Sequence, residues 1–468
     1  MSTTTADPTT RSAADGPDLA PLIDALPDGA VITEVDSMAG YRMDWAKDPN
    51  AGTPLVVVRA TCTEDVATAI TFAAEHGISV VPRGAGTGLS GGASALEGCM
   101  VLSTERMRDI RVDPVTRTCV VQPGLLNAEV KKACAEHDLW YPPDPSSYEI
   151  CSIGGNIATN AGGLCCVKYG VTRDYVLGLT VVLADGKVIT VGGPRLKDSA
   201  GLSLTQLFVG SEGTLGVVTE IVLRLVPLQR PPATLIATFK TLDEATATVL
   251  GITRTMRPSM LEFMDKASIN AVEDVTKMGL DRDTEAMLII QSDEPVDYAA
   301  AEIEKITGIC EENGASEVFS TTDKEEGEQF VVARRMAIPA VEEKGTLLLE
   351  DVGVPLPALG DLVRGIADIS TERDVMIAVI AHAGDGNTHP LIVFDPTDAD
   401  AEARARKAYG EVMDLAIALG GTITGEHGVG RLKKEWLNAY LGDDVLALNH
   451  IIKNALDPAG LLNPGAGY

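Results

Sequence analysis

The chain carries only six histidines, and three of them stand in two short glycine-flanked stretches. "HAGDGNTH" sets His382 and His389 seven residues apart, with Gly384 and Gly386 between them to let the backbone bend. "GEHGVG" adds the carboxylate of Glu426 beside His427. Two imidazoles and one carboxylate directed at one ion would leave coordination positions open for a substrate, as catalytic zinc or iron sites require. Spacing alone favours the other reading, that the same residues are satisfied polar groups around turns. His76, His137 and His450 fall in helical patterns without such neighbours and are expected to be structural. Eight cysteines are scattered with no C-x-x-C pair, so they read as reduced, mostly buried thiols. The adjacent Cys165 and Cys166 lie beside a glycine-rich loop, which leaves a reactive thiol there open.

Glycine supplies the second chemical signal. "PRGAGTGLSGG" (residues 82–92) contains Gly86, Gly88 and Gly91 in a G-x-G-x-x-G match, the fingerprint of a dinucleotide-binding turn. A Rossmann unit needs a helix of about ten residues or more before the next strand. Only "ASALEG" precedes the strand-like "CMVLST", so no helix N-terminus is available for a pyrophosphate and a nicotinamide dehydrogenase is not expected. Two further glycine-rich stretches follow, "PPDPSSYEICSIGGNIATNAGG" (142–163) and "GSEGTLG" (210–216). Without Cβ atoms, successive N–H groups can approach an anion closely and form a nest. Three such loops, with Asn156, Thr159, Asn160 and Ser211 interleaved as hydrogen bonders, could wrap a long ligand.

These residues need elements to position them. "LVVVRA" reads as a strand, and Thr63 is expected to cap a helix through "EDVATAITFAAEHG" that Gly77 stops. "ISVVP" then delivers the chain into the first glycine loop. "LTVVLADGKVITVGG" is two alternating runs joined by Asp185-Gly186, a hairpin signal. "GSEGTLGVVTEIVLRLVP" closes the first half with a strand, and "PLQRPP" marks a boundary. Beyond it, strands such as "TLIATF", "MLEFMD" and "AMLIIQS" alternate with helices such as "VDYAAAEIEKITGICEENG", the pattern of an α+β unit with an antiparallel sheet. Two late helices, around 399–419 and 443–456, flank "GGTITGEHGVG".

With 468 residues, 45% of them hydrophobic, the chain can bury the cores of two domains. Its net charge of -29 disfavours nucleic acid and anionic membranes as partners, and an anionic substrate would need local cations or a metal in its pocket. No stretch approaches the roughly 18 apolar residues of a spanning helix, and the first 17 residues lack a signal-peptide layout, so a cytoplasmic protein is expected.

Taken together, "PRGAGTGLSGG", "PPDPSS...SIGGNIATNAGG...KYG", "GSEGTLGVVTEIVLRL", "HAGDGNTHP" and "GEHGVG" resemble, in order, the FAD-linked oxidases of the vanillyl-alcohol oxidase superfamily. The resemblance is to the branch of D-lactate dehydrogenases, glycolate oxidase FAD subunits and D-2-hydroxyglutarate dehydrogenases, and it spans residues 55–468. It implies an α+β architecture: a disordered tail (1–18), a p-cresol-methylhydroxylase-type FAD-binding domain (19–231), a ferredoxin-like cap (232–420) and a helical C-terminal segment returning to the flavin (421–468). It also implies that Pro82, Arg83, Gly84, Ala85, Gly86, Thr87 and Gly88 hold the pyrophosphate. The flavin would be lined by Gly154, Gly155, Asn156, Thr159, Asn160, Ala161, Gly162 and Gly163. Pro143, Asp144, Glu212, Gly213, Gly216, Val218 and Asn463 complete the implied FAD contacts. Members that bind flavin covalently use a histidine near the first loop, where this chain has Leu89 and Ser90, so noncovalent FAD is expected.

In metal-dependent members, the positions matching His382, His389 and Glu426 bind a divalent ion, commonly zinc, and the position matching His427 is the base. Arg334 of "ARRMAIPA" matches the carboxylate-binding arginine, with Arg335 adjacent as the other candidate. The implied activity is oxidation of a D-2-hydroxy acid, with electrons passed to a quinone, a cytochrome, an iron–sulfur partner or an electron-transfer flavoprotein. Leu349 and Leu391 replace an expected lysine and asparagine, which favours D-lactate or glycolate over D-2-hydroxyglutarate. The alternatives are a D-2-hydroxyglutarate dehydrogenase, the FAD subunit of a multi-subunit glycolate oxidase, and an ether-lipid synthase of the same fold. A homodimer is compatible with the sequence.

Overall fold

The computed structural model describes residues 17–468; the tail expected over residues 1–18 lies almost wholly outside them. After the helix Ala20–Ala25 and the short strand Val31–Ile32, the first half forms a β-α-β unit. Val56–Arg59 leads to the helix Thr63–His76, Gly77 ends that helix in the left-handed conformation at φ +65°, and Val80–Arg83 follows. Thr63 does not cap the helix as expected. It is the first helical residue, and its hydroxyl donates to Thr219 Oγ1 (3.0 Å), tying the helix to the neighbouring sheet. Met100–Ser103 lies between these two strands and parallel to both, so residues 84–99 cross over as irregular chain with no helix.

A second, antiparallel sheet runs in the order Ile110–Asp113, Thr118–Val121, Val217–Arg224, Val176–Val182, Val188–Gly192. Its last two strands form the expected hairpin, with Gly186 at φ +78°. The chain end returns to this half: Val80 N–H donates to Leu461 O (2.9 Å), Asn463 N–H donates to Val80 O (2.7 Å), and Leu461 and Leu462 are buried beside Val56, Val58 and Ile70.

The second half is built on one antiparallel sheet, in the order Glu317–Thr321, Ala233–Phe239, Ala286–Ser292, Met260–Asp265, Met376–His382, Asn387–Phe394, Thr346–Leu349. Its inner strands are buried nearly throughout because both faces are covered, whereas the edge strand Glu317–Thr321 is largely exposed. Leu235, Ala237, Phe263, Leu288 and Val379 point into a core packed by the helices Leu242–Thr253, Val296–Glu312, Leu359–Arg373 and Ala399–Ala418. Ile236, Met264, Ile289, Ala378 and Ile380 point the other way, toward Lys266–Thr276, Ala337–Glu342 and Leu164 of the first half. The period-two alternation of a strand thereby assigns one face to the second half's own core and the other to the region where the two halves meet. Among the described residues, no helix is long and apolar enough to cross a membrane.

Candidate active site

The two histidines of "HAGDGNTH" sit on opposite strands of one hairpin, Met376–His382 and Asn387–Phe394, whose turn is Ala383 to Gly386. Ile380 is paired with His389, so His382 is the diagonal neighbour of His389 on the same face, the one that carries Ala378, Ile380 and Leu391. Their rings meet edge-on with centroids 5.1 Å apart. Gly386, at φ +83°, makes the reversal, and its Cβ would lie 2.3 Å from Val354 O. The spacing of seven therefore brings the imidazoles together through strand register.

Glu426 reaches this pair from the "GEHGVG" segment: its Oε1 lies 3.1 Å from His382 Nε2 and 3.2 Å from His389 Nε2. The three ligand atoms lie within 4.8 Å of one another. His427 stacks on His389 with centroids 4.8 Å apart and an interplanar angle of 10°, and its Nε2 is 3.9 Å from Glu426 Oε1. All four side chains are at most 16% exposed. Burial pushes the His427 imidazole down to about 4, outweighing the pull of Asp351. His382 goes the other way: burial opposes its charged form, but Glu262 and Glu426 on either side hold the imidazolium well above its usual range.

Two buried acids that sequence reasoning missed organise this cluster. Glu262, from the strand Met260–Asp265, accepts at Oε1 from His382 Nδ1 (2.8 Å), the carboxylate–histidine arrangement that orients a metal ligand. Asp351 Oδ2 gathers three successive backbone N–H groups, of Gly425 (2.9 Å), Glu426 (2.9 Å) and His427 (2.8 Å), and accepts from Thr424 Oγ1 (2.7 Å). Burial would raise its carboxyl, but the neighbouring His427, Lys433 and His389 hold it well below the usual range. The available signal was Glu262 among the apolar residues of "MLEFM" and an acidic pair ending "TLLLED". Glu212 clamps the same segment from the other side, accepting from Val429 N and Gly430 N at 2.8 Å each.

The cluster opens on a cavity of about 1160 Å³ that also runs along all three glycine loops. Of the expected flavin contacts, Pro82 to Gly88, Gly154, Gly155, Asn156, Thr159, Ala161, Glu212, Gly213, Gly216 and Val218 line it, together with Arg334, His389, Glu426 and His427. Gly86 takes φ +76°, and the N–H groups of Gly86, Thr87, Gly88 and Leu89 make no hydrogen bond to another described residue, so they form a donor nest facing the cavity. Ser152 joins the first two loops, its Oγ accepting from Ala85 N (3.1 Å) and Gly155 N (3.3 Å). A cavity of this volume that runs along three glycine loops, with a donor nest in the first, fits a dinucleotide such as FAD.

Several of the expected contact residues have other partners in the structure. The Arg83 guanidinium donates to the carbonyls of Ala93 (3.1 Å), Gly40 (3.3 Å) and Met43 (3.0 Å), so it staples the loop. Pro143, Asp144, Asn160, Gly162, Gly163 and Asn463 lie off the cavity wall. Pro143 O accepts from Asn127 Nδ2 (3.2 Å), and Asp144 Oδ1 accepts from Cys165 N (3.2 Å). Asn160 ends the helix Ile153–Thr159 in the left-handed conformation, and its Oδ1 accepts from Arg173 N (2.9 Å). Gly163 packs on the Asp144 backbone, and Gly162 lies against Glu426, where a Cβ would come within 2.3 Å of Oε2. Asn463 Nδ2 donates to Gly92 O (3.0 Å) and Glu212 O (2.8 Å). Leu391 is also buried behind the wall as the cross-strand partner of Leu349, which does line the cavity.

Arg334 is 1% exposed. Its Nη2 lies 2.8 Å from Glu262 Oε2, yet neither Nη2 nor Nε is aligned to donate to it, so part of the guanidinium fork remains unspent at the cavity wall. Arg335 lies over the Tyr148 ring at 5.3 Å, with Glu328 at 3.4 Å.

Comparison with known proteins agrees with this geometry. Residues 54–192 match the FAD binding domain family, and residues 228–466 match the family "FAD linked oxidases, C-terminal domain". The chain is 42% identical to the glycolate oxidase subunit GlcD of Bacillus subtilis, over 88% of each chain. It is 39% identical to that of Escherichia coli K12 (92% of this chain, 85% of the other) and 37% identical to the D-lactate dehydrogenase of Archaeoglobus fulgidus (91% and 94%). Among solved structures, p-cresol methylhydroxylase shares the fold with a TM-score of 0.79 at 17% identity, covering 95% of both chains. An alkyldihydroxyacetonephosphate synthase does so with 0.72 at 18% identity, covering 96% and 86%. With both halves matched and the glycine loops and histidine cluster meeting in one cavity, the chain belongs to the FAD-linked oxidase family.

Proposed function

We propose that this chain is a dehydrogenase of a small 2-hydroxy acid, D-lactate or glycolate, carrying noncovalent FAD and a divalent ion, zinc foremost, held by His382, His389 and Glu426. The observation that carries the reading is that the glycine loops and the histidine cluster open on a single cavity, so a dinucleotide and an acid substrate can meet there. FAD when bound supplies the hydride acceptor, and an ion in the cluster would draw charge from the substrate hydroxyl.

The remaining roles belong to the protein. His427 is held neutral by burial, so its imidazole can take the hydroxyl proton. Its position is fixed by Asp351 at its own N–H and by Ser90 Oγ, which donates to His427 O (2.8 Å). Arg334, with unspent donors on the wall, offers a planar fork to the substrate carboxylate, and Arg335 stands beside it. Ile338, Leu347, Leu349 and Ile380 make an apolar stretch of wall that suits a short monocarboxylate better than a second carboxylate. The reading includes a cytoplasmic location and a separate electron acceptor, a quinone or a carrier protein. The similarity to subunits named GlcD also supports a partner subunit.

Anaerobic mixing of the FAD-loaded protein with glycolate, D-lactate, L-lactate and D-2-hydroxyglutarate tests this directly by bleaching of the flavin. Glycolate or D-lactate is expected to bleach it, with the reaction lost on chelation and restored by zinc. Full FAD occupancy with no bleaching by any of the four acids would overturn the reading.

A further inference from the structure

The His382–Glu426–His389 cluster is a partition between two cavities. The larger reaches it from the side of His389 and His427; a second, of about 450 Å³, reaches His382 and Glu426 from behind. We propose that this second cavity is the port through which the divalent ion enters and leaves the cluster, an inference that rests on the metal reading above. A flavin and substrate in the larger cavity would fill the approach from that side, whereas the smaller one meets two of the three ligands without crossing either.

On an otherwise largely apolar wall, its polar residues suit a hydrated cation. Asp385, exposed in the hairpin turn, lines it and supplies negative charge. Asn387 follows, 9% exposed, with Oδ1 on no hydrogen-bond donor while its Nδ2 donates to Asp351 Oδ1 (3.0 Å). Oxygen donors suit the partly hydrated ion, and the imidazole and carboxylate of His382 and Glu426 come next. Small residues keep the inner end open: a Cβ on Gly162 would lie 2.3 Å from Glu426 Oε2, and one on Gly425 would lie 2.2 Å from Asn387 Oδ1. Cys166 adds a thiol to the same wall, which gives this cysteine a place beside the ion's path.

A route alters rates of exchange and leaves equilibrium affinity alone, which sets the test. The FAD-loaded full chain is stripped of ions and reloaded with zinc, stoichiometry is read by atomic emission, and release to a colorimetric chelator is followed by absorbance. Val171→Trp, on the wall of the second cavity, is expected to slow uptake and release by the same factor, roughly tenfold or more, at unchanged affinity. Tyr440→Ala, which widens that cavity, speeds both, and Leu347→Trp in the larger cavity changes neither. Should the tryptophan variant fail to load FAD, the Tyr440 variant decides alone. Stoichiometric zinc with both rates unmoved in the second-cavity variants, or slowed in Leu347→Trp instead, overturns the port while sparing the metal reading. Failure of the unmodified protein to take up stoichiometric zinc overturns both.

Discussion

Glu262 lies between Arg334 and His382, one oxygen 2.8 Å from each, and so links the wall that would meet a substrate carboxylate to the first imidazole of the cluster. Converting it to glutamine keeps the shape and removes the charge. Glu262→Gln is expected to weaken zinc binding by about 10- to 100-fold with FAD affinity unchanged, as measured by competition with a chelator. His427→Ala tests base apart from ligand, because His427 is not one of the three proposed ligands, although it stacks on His389 and its Nε2 lies 3.9 Å from Glu426 Oε1. That variant should retain FAD and zinc while its flavin reduction slows by about 10²- to 10⁴-fold, read by stopped-flow bleaching. Reduction at the unmodified rate would remove His427 from the role of base. The histidines themselves were legible in the sequence because histidine is scarce here and glycine brackets both motifs. Glu262 and Asp351 were not, since acids are abundant in this chain and nothing local reveals that strand pairing buries these two at the cluster.

At the scale of elements, periodicity carried most of the information. The Asp185-Gly186 hairpin, the antiparallel strands of the second half and the helix-free crossover after the first glycine loop all follow from local pattern. What pattern could not supply was which loops engage each other, as with Ser152 under the first loop or Glu212 under the "GEHGVG" segment. The seam between the halves is of the same kind. Lys168 donates to Asp293 (2.6 Å) and Glu294 (2.8 Å), and Tyr169 and Gln229 also donate to Asp293. Burial raises the Asp293 carboxyl, but these donors outweigh it and hold it below its ordinary value of 3.8. A carboxyl depressed in the folded state stabilises above its unfolded value and loses that contribution as pH falls through the folded one. Asp293→Asn is therefore expected to cost about 2 kcal/mol near neutrality and to flatten the acid limb of the thermal-stability profile below about pH 4. An acid limb identical to that of the unmodified protein would show that the seam contributes nothing there.

For the molecule as a whole, a net charge of -29 meets a substrate that is itself an anion. The cations at the cavity do little to change the field seen from afar. Arg334 is compensated by Glu262, Arg335 stands 3.4 Å from Glu328 and 3.9 Å from Asp144, and Lys47 is paired with Glu342 at 3.3 Å. Each such pair is a dipole whose potential decays quickly, whereas the net charge acts over a Debye length, about 10 Å at 0.1 M salt and longer below it. The approaching acid is thus repelled until it is inside the cavity, where short-range donors take over. The second-order rate of flavin reduction is accordingly expected to rise two- to fivefold, as an order-of-magnitude estimate, between about 0.02 and 0.2 M of an inert salt. The limiting rate at saturating acid should stay constant, because chemistry inside the buried cluster is screened far less than diffusion toward it. A second-order rate that falls with salt would mean that the arginines at the wall dominate the approach, and that the ion pairs with Glu262 and Glu328 open before the substrate arrives.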